Sequence, residues 1–248
     1  VNLLPSWSYT AVQEYLNCPR RYQLNRVLKV MPFVESEAMK QGNIIHKHFE
    51  DRIRVGAKFP EHLARYEPFI QKMERKVINN EWLEMSAETE VVFDRNMELV
   101  GCWGQTSPRP WFSKSAFYRG KFDIVALISK TKAMVLDLKT GKRKPDNPQL
   151  ELFAAVAFKA LPDLEQVVTG YVWTKENGAV DKQTFFREGT DGLTDNVSAK
   201  SEADIWAEWL GYVERIEQSM QNNKWPCKPS GLCGWCDATP KQCPHSKK

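Results

Sequence analysis

The spacing of apolar residues changes along the chain and separates a helical front from a sheet-forming middle. Ser8 is suited to capping a helix that runs to about Leu28, with apolar residues at helical spacing. Apolar positions three or four residues apart recur in 39–55 and again in 60–83. The pattern therefore predicts three helices before the first strand.

From residue 88 onwards, short runs rich in β-branched residues and bounded by turn residues replace the helical period. They predict strands at 88–93, 120–128, 133–138, 167–174 and 183–187. The short separation between the second and third of these runs favours an antiparallel hairpin. Helices are predicted at 148–161 and 201–222, and the stretch 101–115, rich in Pro, Gly, Trp and Ser, is interpreted as an irregular loop.

These elements predict an α/β fold with a mixed central sheet flanked by helices. We expect one large domain over 1–223, followed by a cysteine-rich metal module over 224–248. Within the domain, 1–85 is the predicted helical front, 86–190 the sheet core and 191–223 the C-terminal helix.

Charge is distributed unevenly, although the 35 basic and 31 acidic residues leave a formal net charge of only +4. Nine basic and two acidic residues fall in 114–144, whereas eight acidic and two basic residues fall in 188–217. A basic middle section is typical of a polyanion-binding surface, and a solvated lysine-rich face is the alternative interpretation. The longest apolar run, 152–158, has seven residues, and a membrane span needs about 20. We therefore expect a cytoplasmic protein without membrane association.

Acidic residues stand in two of the predicted strands where apolar residues are expected. In the run 135–140, Asp137 and Lys139 share one face, while the neighbouring leucines share the other. Asp123 lies inside the apolar run 120–125. If these strands pair, two carboxylates and an ammonium converge, as in a site for Mg²⁺ or Mn²⁺. A surface hairpin with an ordinary salt bridge is the alternative.

His46 offers a further ligand from the second predicted helix. Glu50 follows one turn later on the same helical face. A structural or merely exposed histidine is the alternative interpretation of this position.

In their order, these fragments resemble the PD-(D/E)XK nuclease superfamily, most closely its RecB-like branch, which includes AddB, CRISPR adaptation nucleases and many phage exonucleases. Residues 8–22 are similar to the opening "S-x-S…Y-x-x-CP-x-x-[YF]" helix of that branch. Residues 42–46 match "G-x-x-x-H", 120–123 match "G-x-x-D" and 137–141 match "D-x-K-T-G". The resemblance covers most of the chain and implies a restriction-endonuclease-like core for the predicted domain.

The resemblance also implies residue roles. Metal binding is implied for His46, Asp123, Asp137 and the backbone carbonyl of Leu138. Lys139 would orient or activate the attacking water. Gln149 matches the first position of a "Q-x-x-x-Y" helix motif, but Phe153 replaces its tyrosine and removes a hydroxyl. Adjacency alone suggests Glu50 and Lys121 as partners of the ligands.

The implied activity is Mg²⁺- or Mn²⁺-dependent hydrolysis of DNA phosphodiester bonds, by an exonuclease acting on ends or single strands. Alternatives are a structure- or site-specific endonuclease of the same superfamily, a catalytically silent DNA-binding scaffold, and a zinc-ribbon interaction protein. Expected partners are DNA and proteins of recombination, repair or CRISPR adaptation. The basic residues 142–144 would hold the DNA backbone. Trp111, Phe112 and Phe117 are candidates for base stacking, with simple loop packing as the alternative.

Four cysteines of the tail, Cys227, Cys233, Cys236 and Cys243, have the spacing C-x5-C-x2-C-x6-C. Such spacing predicts a metal site and, by itself, favours structural zinc. The nuclease resemblance instead implies a [4Fe–4S] cluster held by Cys18, Cys233, Cys236 and Cys243, with Cys227 as the alternative ligand. Either metal would clasp the tail to the N-terminal helix.

Overall fold

The computed structural model describes residues 4–32, 35–102, 110–143, 148–176, 178–191 and 194–247. The chain divides into two compact units. The first combines Val1–Glu35 with Glu208–Lys248, and the second is Ser36–Ala207. The division into a domain of 1–223 and a module of 224–248 stays a prediction.

The α-helices are α1 (Tyr9–Asn17), α2 (Pro19–Tyr22), α3 (Glu37–Val55), α4 (Glu67–Ile78), α5 (Gln149–Ala160) and α6 (Glu202–Gln221). A π-helical turn covers Gln23–Val27, and 3₁₀ turns cover Glu61–Tyr66, Pro110–Phe112, Thr174–Glu176 and Gly231–Trp235. No helix among the described residues is both long enough and apolar enough to cross a bilayer.

The continuous first helix predicted from the apolar period is interrupted at Cys18. Ser8 caps α1 as expected, because its Oγ accepts from the Ala11 amide. Cys18 is extended, with φ −163°, since the ring of Pro19 disfavours helical conformation in the residue before it. The predicted helix at 60–83 is also divided, because a 3₁₀ turn precedes α4.

One six-stranded mixed sheet forms the centre of the second unit, and this confirms the predicted fold class. Its strands are β1 (Glu84–Phe93), β2 (Leu99–Cys102), β3 (Tyr118–Ser129), β4 (Lys132–Lys139), β5 (Gln166–Trp173) and β6 (Ala179–Phe186). Their order is β2-β1-β3-β4-β5-β6, and only the β4–β5 pair is parallel. A parallel pair needs a crossover, which α5 supplies.

The strand β2 was not predicted from the sequence. The predicted loop at 101–115 is wrong at its start, because Gly101 and Cys102 pair with Val92 and Val91 of β1. Residues 103–109 of that loop lie outside the described residues.

The two faces of the sheet carry different layers. Leu136 and Leu138 belong to a buried cluster with Phe49 of α3 and with Ile70 and Met73 of α4. On the opposite face lies α5, where the ring of Phe153 meets that of Phe122 at 5.2 Å. This burial explains the phenylalanine in the "Q-x-x-x-Y" position, because its ring packs between helix and sheet.

In the first unit, the cysteine-rich tail packs on the opening helices. The amide of Arg20 donates to Pro226 O, and its Nε donates to Gln242 O over 2.8 Å. The indole of Trp225 stacks on Tyr22, with ring centroids 6.0 Å apart. These contacts hold both ends of the tail against one short helical segment.

Candidate metal centre

The register of β1 and β3 places two acidic residues opposite each other. Ala87 pairs with Ile124 and Thr89 with Phe122, so Glu88 stands across from Asp123. Glu88 has φ 50°, in the left-handed region that non-glycine residues rarely adopt. Sequence reasoning did not identify Glu88, because its opposition to Asp123 depends on the register.

His46 of α3 completes a group of three potential ligands. Its Nδ1 lies 3.3 Å from Asp123 Oδ1 and 3.5 Å from Glu88 Oε1. One ligand atom from each of the three residues falls within 4.8 Å of the others. Two carboxylates and an imidazole are suitable donors for Mn²⁺ or Mg²⁺, so these residues fit a divalent cation.

Both backbone polar groups of Leu138 are bound by side chains of this centre. The regular β3–β4 ladder reaches Ile124 and Leu136, and beyond it the Leu138 amide donates to Asp123 Oδ2 over 2.7 Å. The Leu138 carbonyl accepts from His46 Nε2 over 3.2 Å. The Leu138 carbonyl, which was predicted as a metal ligand, therefore binds Nε2 of His46. This bond orients the imidazole so that Nδ1 points towards the carboxylates.

Asp137 lies beside this group of three, in a bridge with Lys139 and Gln149. Lys139 Nζ is 2.7 Å from Asp137 Oδ2 and donates to Gln149 Oε1 over 2.7 Å. Gln149 Nε2 donates to Asp137 Oδ1 over 3.0 Å, closing a triangle. The ring of Tyr171 lies 4.9 Å from Lys139 Nζ. The bridge fixes the amine next to a carboxylate that is 5% exposed.

The electrostatics of the site favour an added positive charge. Burial, together with repulsion from Asp123, raises the pKa of Asp137 to about 7. Burial opposes protonation of His46, but hydrogen bonds to Asp123 and Glu88 outweigh it and raise the pKa of His46 to about 10. The pKa of Glu88 is lowered, since His46 and an ion pair with Lys121 outweigh burial. A divalent cation would relieve the same repulsion that protons relieve here.

Gly42 explains how α3 approaches the end of β4 closely. A Cβ at this position would lie 3.2 Å from Thr140 Oγ1, tighter than an ordinary contact. The glycine and the threonine of two of the quoted motifs therefore face each other, and the small residue allows the helix carrying His46 to lie near the strand end.

Two residues expected beside the ligands behave differently. Lys121 contacts the centre through its ion pair with Glu88. Glu50 does not reach the ligands and pairs with Lys47 and Arg54 on its own helix.

Three basic residues of the stretch 114–144 are paired with acids in the fold. Lys121 and Lys139 are paired with acids of the site, and Arg143 forms a two-pronged pair with Asp181. Lys132 lies at the opposite end of β4 from Lys139. Lys144 is outside the described residues. Sequence counting could not separate these three paired charges from those available to a polyanion, and the basic DNA-binding surface stays a prediction.

The aromatic candidates for base stacking separate into two kinds. Phe117 is 6% exposed and lies under the guanidinium of Arg95, 4.3 Å from its ring centre, which makes it a packing residue. Phe112 is 72% exposed on a 3₁₀ turn, next to the partly buried Trp111.

The cysteines of the first unit are partly gathered. Cys227 Sγ lies 3.7 Å from Cys243 Sγ. The pKa of Cys227 is raised by burial, by Cys243 and by Cys18, so Cys18 is near the same pair. The Ser230 amide donates to Cys233 Sγ over 3.4 Å. Of the two candidate fourth ligands, Cys227 thus lies next to Cys243, and Cys18 lies near Cys227.

Comparison with known proteins gives a family and several solved structures of low sequence identity. Two solved structures resemble the chain weakly. The protein SSO0001 shares 13% identity over 95% of this chain and 85% of its own, with a TM-score of 0.37. A Eubacterium rectale protein bearing the name "Putative exonuclease" shares 14% identity over 94% and 87%, with a TM-score of 0.47. No protein of curated function matches the chain.

The family model of the PD-(D/E)XK nuclease superfamily matches residues 6–244, almost the whole length. Its match spans both compact units, and it includes every residue of the candidate metal centre. The chain belongs to the PD-(D/E)XK nuclease superfamily.

Proposed function

We propose that the protein is a Mg²⁺- or Mn²⁺-dependent deoxyribonuclease that hydrolyses phosphodiester bonds, and that it acts as an exonuclease on DNA ends or single strands. The observation that carries the proposal is the convergence of His46, Glu88 and Asp123 within 4.8 Å, next to the Asp137–Lys139 pair. A metal-ligand group beside a fixed amine is suited to phosphodiester hydrolysis, because both can stabilise negative charge that develops on the phosphate.

Different residues would bind the cation and the phosphate. His46 Nδ1, Glu88 and Asp123 would hold the cation, with Asp137 adjoining them. A cation held by these residues would lower the pKa of the attacking water and neutralise charge on the phosphate. Leu138 O keeps the imidazole in the orientation that presents Nδ1. Asp123 is fixed in turn by the Leu138 amide.

Lys139 is the residue we assign to the phosphate and the attacking water. Its Nζ is held by Asp137 and Gln149 rather than lying free in solvent. A held ammonium needs little reorganisation to donate to a phosphate oxygen as negative charge develops. Gln149 is in this proposal the residue that positions both Lys139 and Asp137.

The proposal is tested with end-labelled linear DNA and covalently closed circles of the same sequence, incubated with Mg²⁺ or Mn²⁺. Loss of linear DNA alone is the expected result, and cutting of closed circles would instead indicate an endonuclease. Asp123→Asn should abolish cleavage. The matched control is Asp51→Asn, because Asp51 lies on α3 and pairs with Lys47 at the surface. DNA binding without cleavage in every metal would overturn the enzymatic proposal.

We further propose that the protein belongs to the RecB-like branch and holds a [4Fe–4S] cluster with Cys18, Cys233, Cys236 and Cys243, and with Cys227 as the alternative to Cys18. The 3.7 Å approach of Cys227 and Cys243 supports a metal among these thiols, and the packing of the tail on Arg20 supports a clasp. Anaerobic purification should give brown protein absorbing near 400 nm. Colourless protein containing zinc would overturn the cluster.

A further inference from the structure

Glu88 occupies a backbone conformation that needs an external restraint. Its φ of 50° is unfavourable for a residue with a Cβ. The paired residues skip Glu88, but Ala87 and Thr89 on either side of it pair with β3 in the same register. The left-handed residue is therefore a local feature of the position that presents a carboxylate to His46.

Arg54 of α3 binds the backbone at this position. Its Nη2 donates to Ala87 O over 2.9 Å and to Glu88 O over 3.3 Å, and its Nε donates to Ala87 O over 3.2 Å. Nη1 of the same guanidinium lies 3.0 Å from Glu50 Oε1. The guanidinium of Arg54 thus binds the carbonyl groups of Ala87 and Glu88. The carboxylate of Glu50 orients this guanidinium.

The same helix supplies a ligand and the restraint. His46 and Arg54 are separated by about two turns of α3, and both contact the Glu88 region of β1, His46 through the carboxylate and Arg54 through the backbone. Such an arrangement fixes Glu88 relative to His46. It also gives Glu50 a part in the site through Arg54, without direct contact with the ligands.

We propose that Arg54 is a positioning residue that holds Glu88 in its left-handed conformation and thereby sets it as a metal ligand. The inference rests on the proposed function only in taking the His46, Glu88 and Asp123 group as a metal site. Arg54 acts through the backbone carbonyl groups of Ala87 and Glu88. Arg52 serves as its comparison, because it lies on the same helix but pairs with Glu67 and Glu74 of α4.

The test is a double-mutant cycle on Mn²⁺ binding to the metal-free full chain, measured by titration calorimetry and by the electron paramagnetic resonance signal of free Mn²⁺. Arg54→Met should weaken Mn²⁺ binding about tenfold, the lower end for residues that orient metal ligands. Arg54→Lys should restore part of the loss. In a Glu88→Ala background, Arg54→Met should have no further effect, because the group it positions is gone.

Arg52→Met is the control for general loosening of α3, and its effect should be the same with or without Glu88. An equal loss from Arg54→Met in both backgrounds would overturn the proposal, and so would unchanged Mn²⁺ affinity in both folded Arg54 variants. Unchanged affinity in Glu88→Ala would overturn it as well, even if DNA cleavage persists. Conversely, if Arg54→Met weakens Mn²⁺ binding only when Glu88 is present, but the protein cleaves no DNA, only the proposed function is overturned.

Discussion

The amide of Leu138 donates to the carboxylate of Asp123 across 2.7 Å, at the point where regular pairing of β3 and β4 stops. The bond converts a break in the sheet into a fixed position for an acidic side chain. Asp123 Oδ2 satisfies the strand amide, and Oδ1 faces His46. One oxygen of the carboxylate therefore binds the strand amide, and the other is directed at His46, where we propose the cation.

Replacing Asp123 with asparagine should separate these two roles. The amide oxygen of asparagine can still accept from the Leu138 amide, so the metal-free protein should fold and should lose only the stability that the pair of Asp123 with His46 contributes. The negative charge is lost, so Mn²⁺ affinity should fall by more than about 100-fold, beyond the usual effect of residues outside the ligand set. Calorimetric titration with Mn²⁺ and thermal unfolding in EDTA measure the two quantities. Retained Mn²⁺ affinity would exclude Asp123 as a ligand.

Gln149→Met should slow cleavage more than it weakens DNA binding. The substitution keeps the length of the side chain but removes the hydrogen bonds of Gln149 to Lys139 and to Asp137, and it leaves the direct ion pair between those two residues in place. We expect kcat to fall by about 10- to 100-fold with little change in KM, because the lost contacts orient groups of the site.

Gln71→Met is the control for Gln149→Met, since Gln71 lies on the surface of α4 and donates to Glu67. Steady-state kinetics on a single-stranded oligonucleotide distinguish the outcomes. A change confined to KM would show that Gln149 contacts DNA rather than organises the amine.

Sequence periodicity predicted most strands of the sheet and the face on which Asp137 and Lys139 lie, because the alternation of side chains along a strand is a local property. It placed Leu136 and Leu138 on the face opposite Asp137 and Lys139, and the packing agrees. It could not find Glu88, which is one acid among several in its strand and becomes distinctive only through pairing with β3 and its positive φ. Likewise, the ion pair of Arg143 with Asp181 joins residues far apart in sequence, so counting charges could not reveal it.

The pH dependence of stability in EDTA should report the state of His46. Its pKa is raised to about 10, because hydrogen bonds to Asp123 and Glu88 outweigh the effect of burial, against about 6.5 in the unfolded chain. A raised folded-state pKa contributes stability that is complete below pH 6.5 and is lost as the pH rises through 10. The free energy of unfolding should therefore decrease by roughly 3 to 4 kcal/mol between pH 7 and 10, at about 1.4 kcal/mol per pH unit.

The matched variant for the pH experiment is His46→Asn, in which this decrease should disappear. Asp137 acts in the same direction over a lower range, since its pKa rises from about 3.9 to about 7 and stability declines across that interval. Urea unfolding at a series of pH values measures how the free energy of unfolding changes with pH in both ranges. A stability that is flat or rises from pH 7 to 10 in the original protein would contradict an imidazolium held by the two carboxylates.

Alanine substitutions at Gly211 and Gly42 should change the free energy of unfolding by different amounts, although both glycines lie within helices. Gly211 of α6 has open space where a Cβ would lie, so Gly211→Ala should stabilise by about 0.5 to 1 kcal/mol through helix propensity. At Gly42 the new methyl group meets Thr140 Oγ1 at 3.2 Å, and the strain should cancel most of that gain. Thr140→Ala should restore it in the double variant. An equal gain at both glycines, measured by urea unfolding, would mean that α3 does not depend on a close approach to the end of β4.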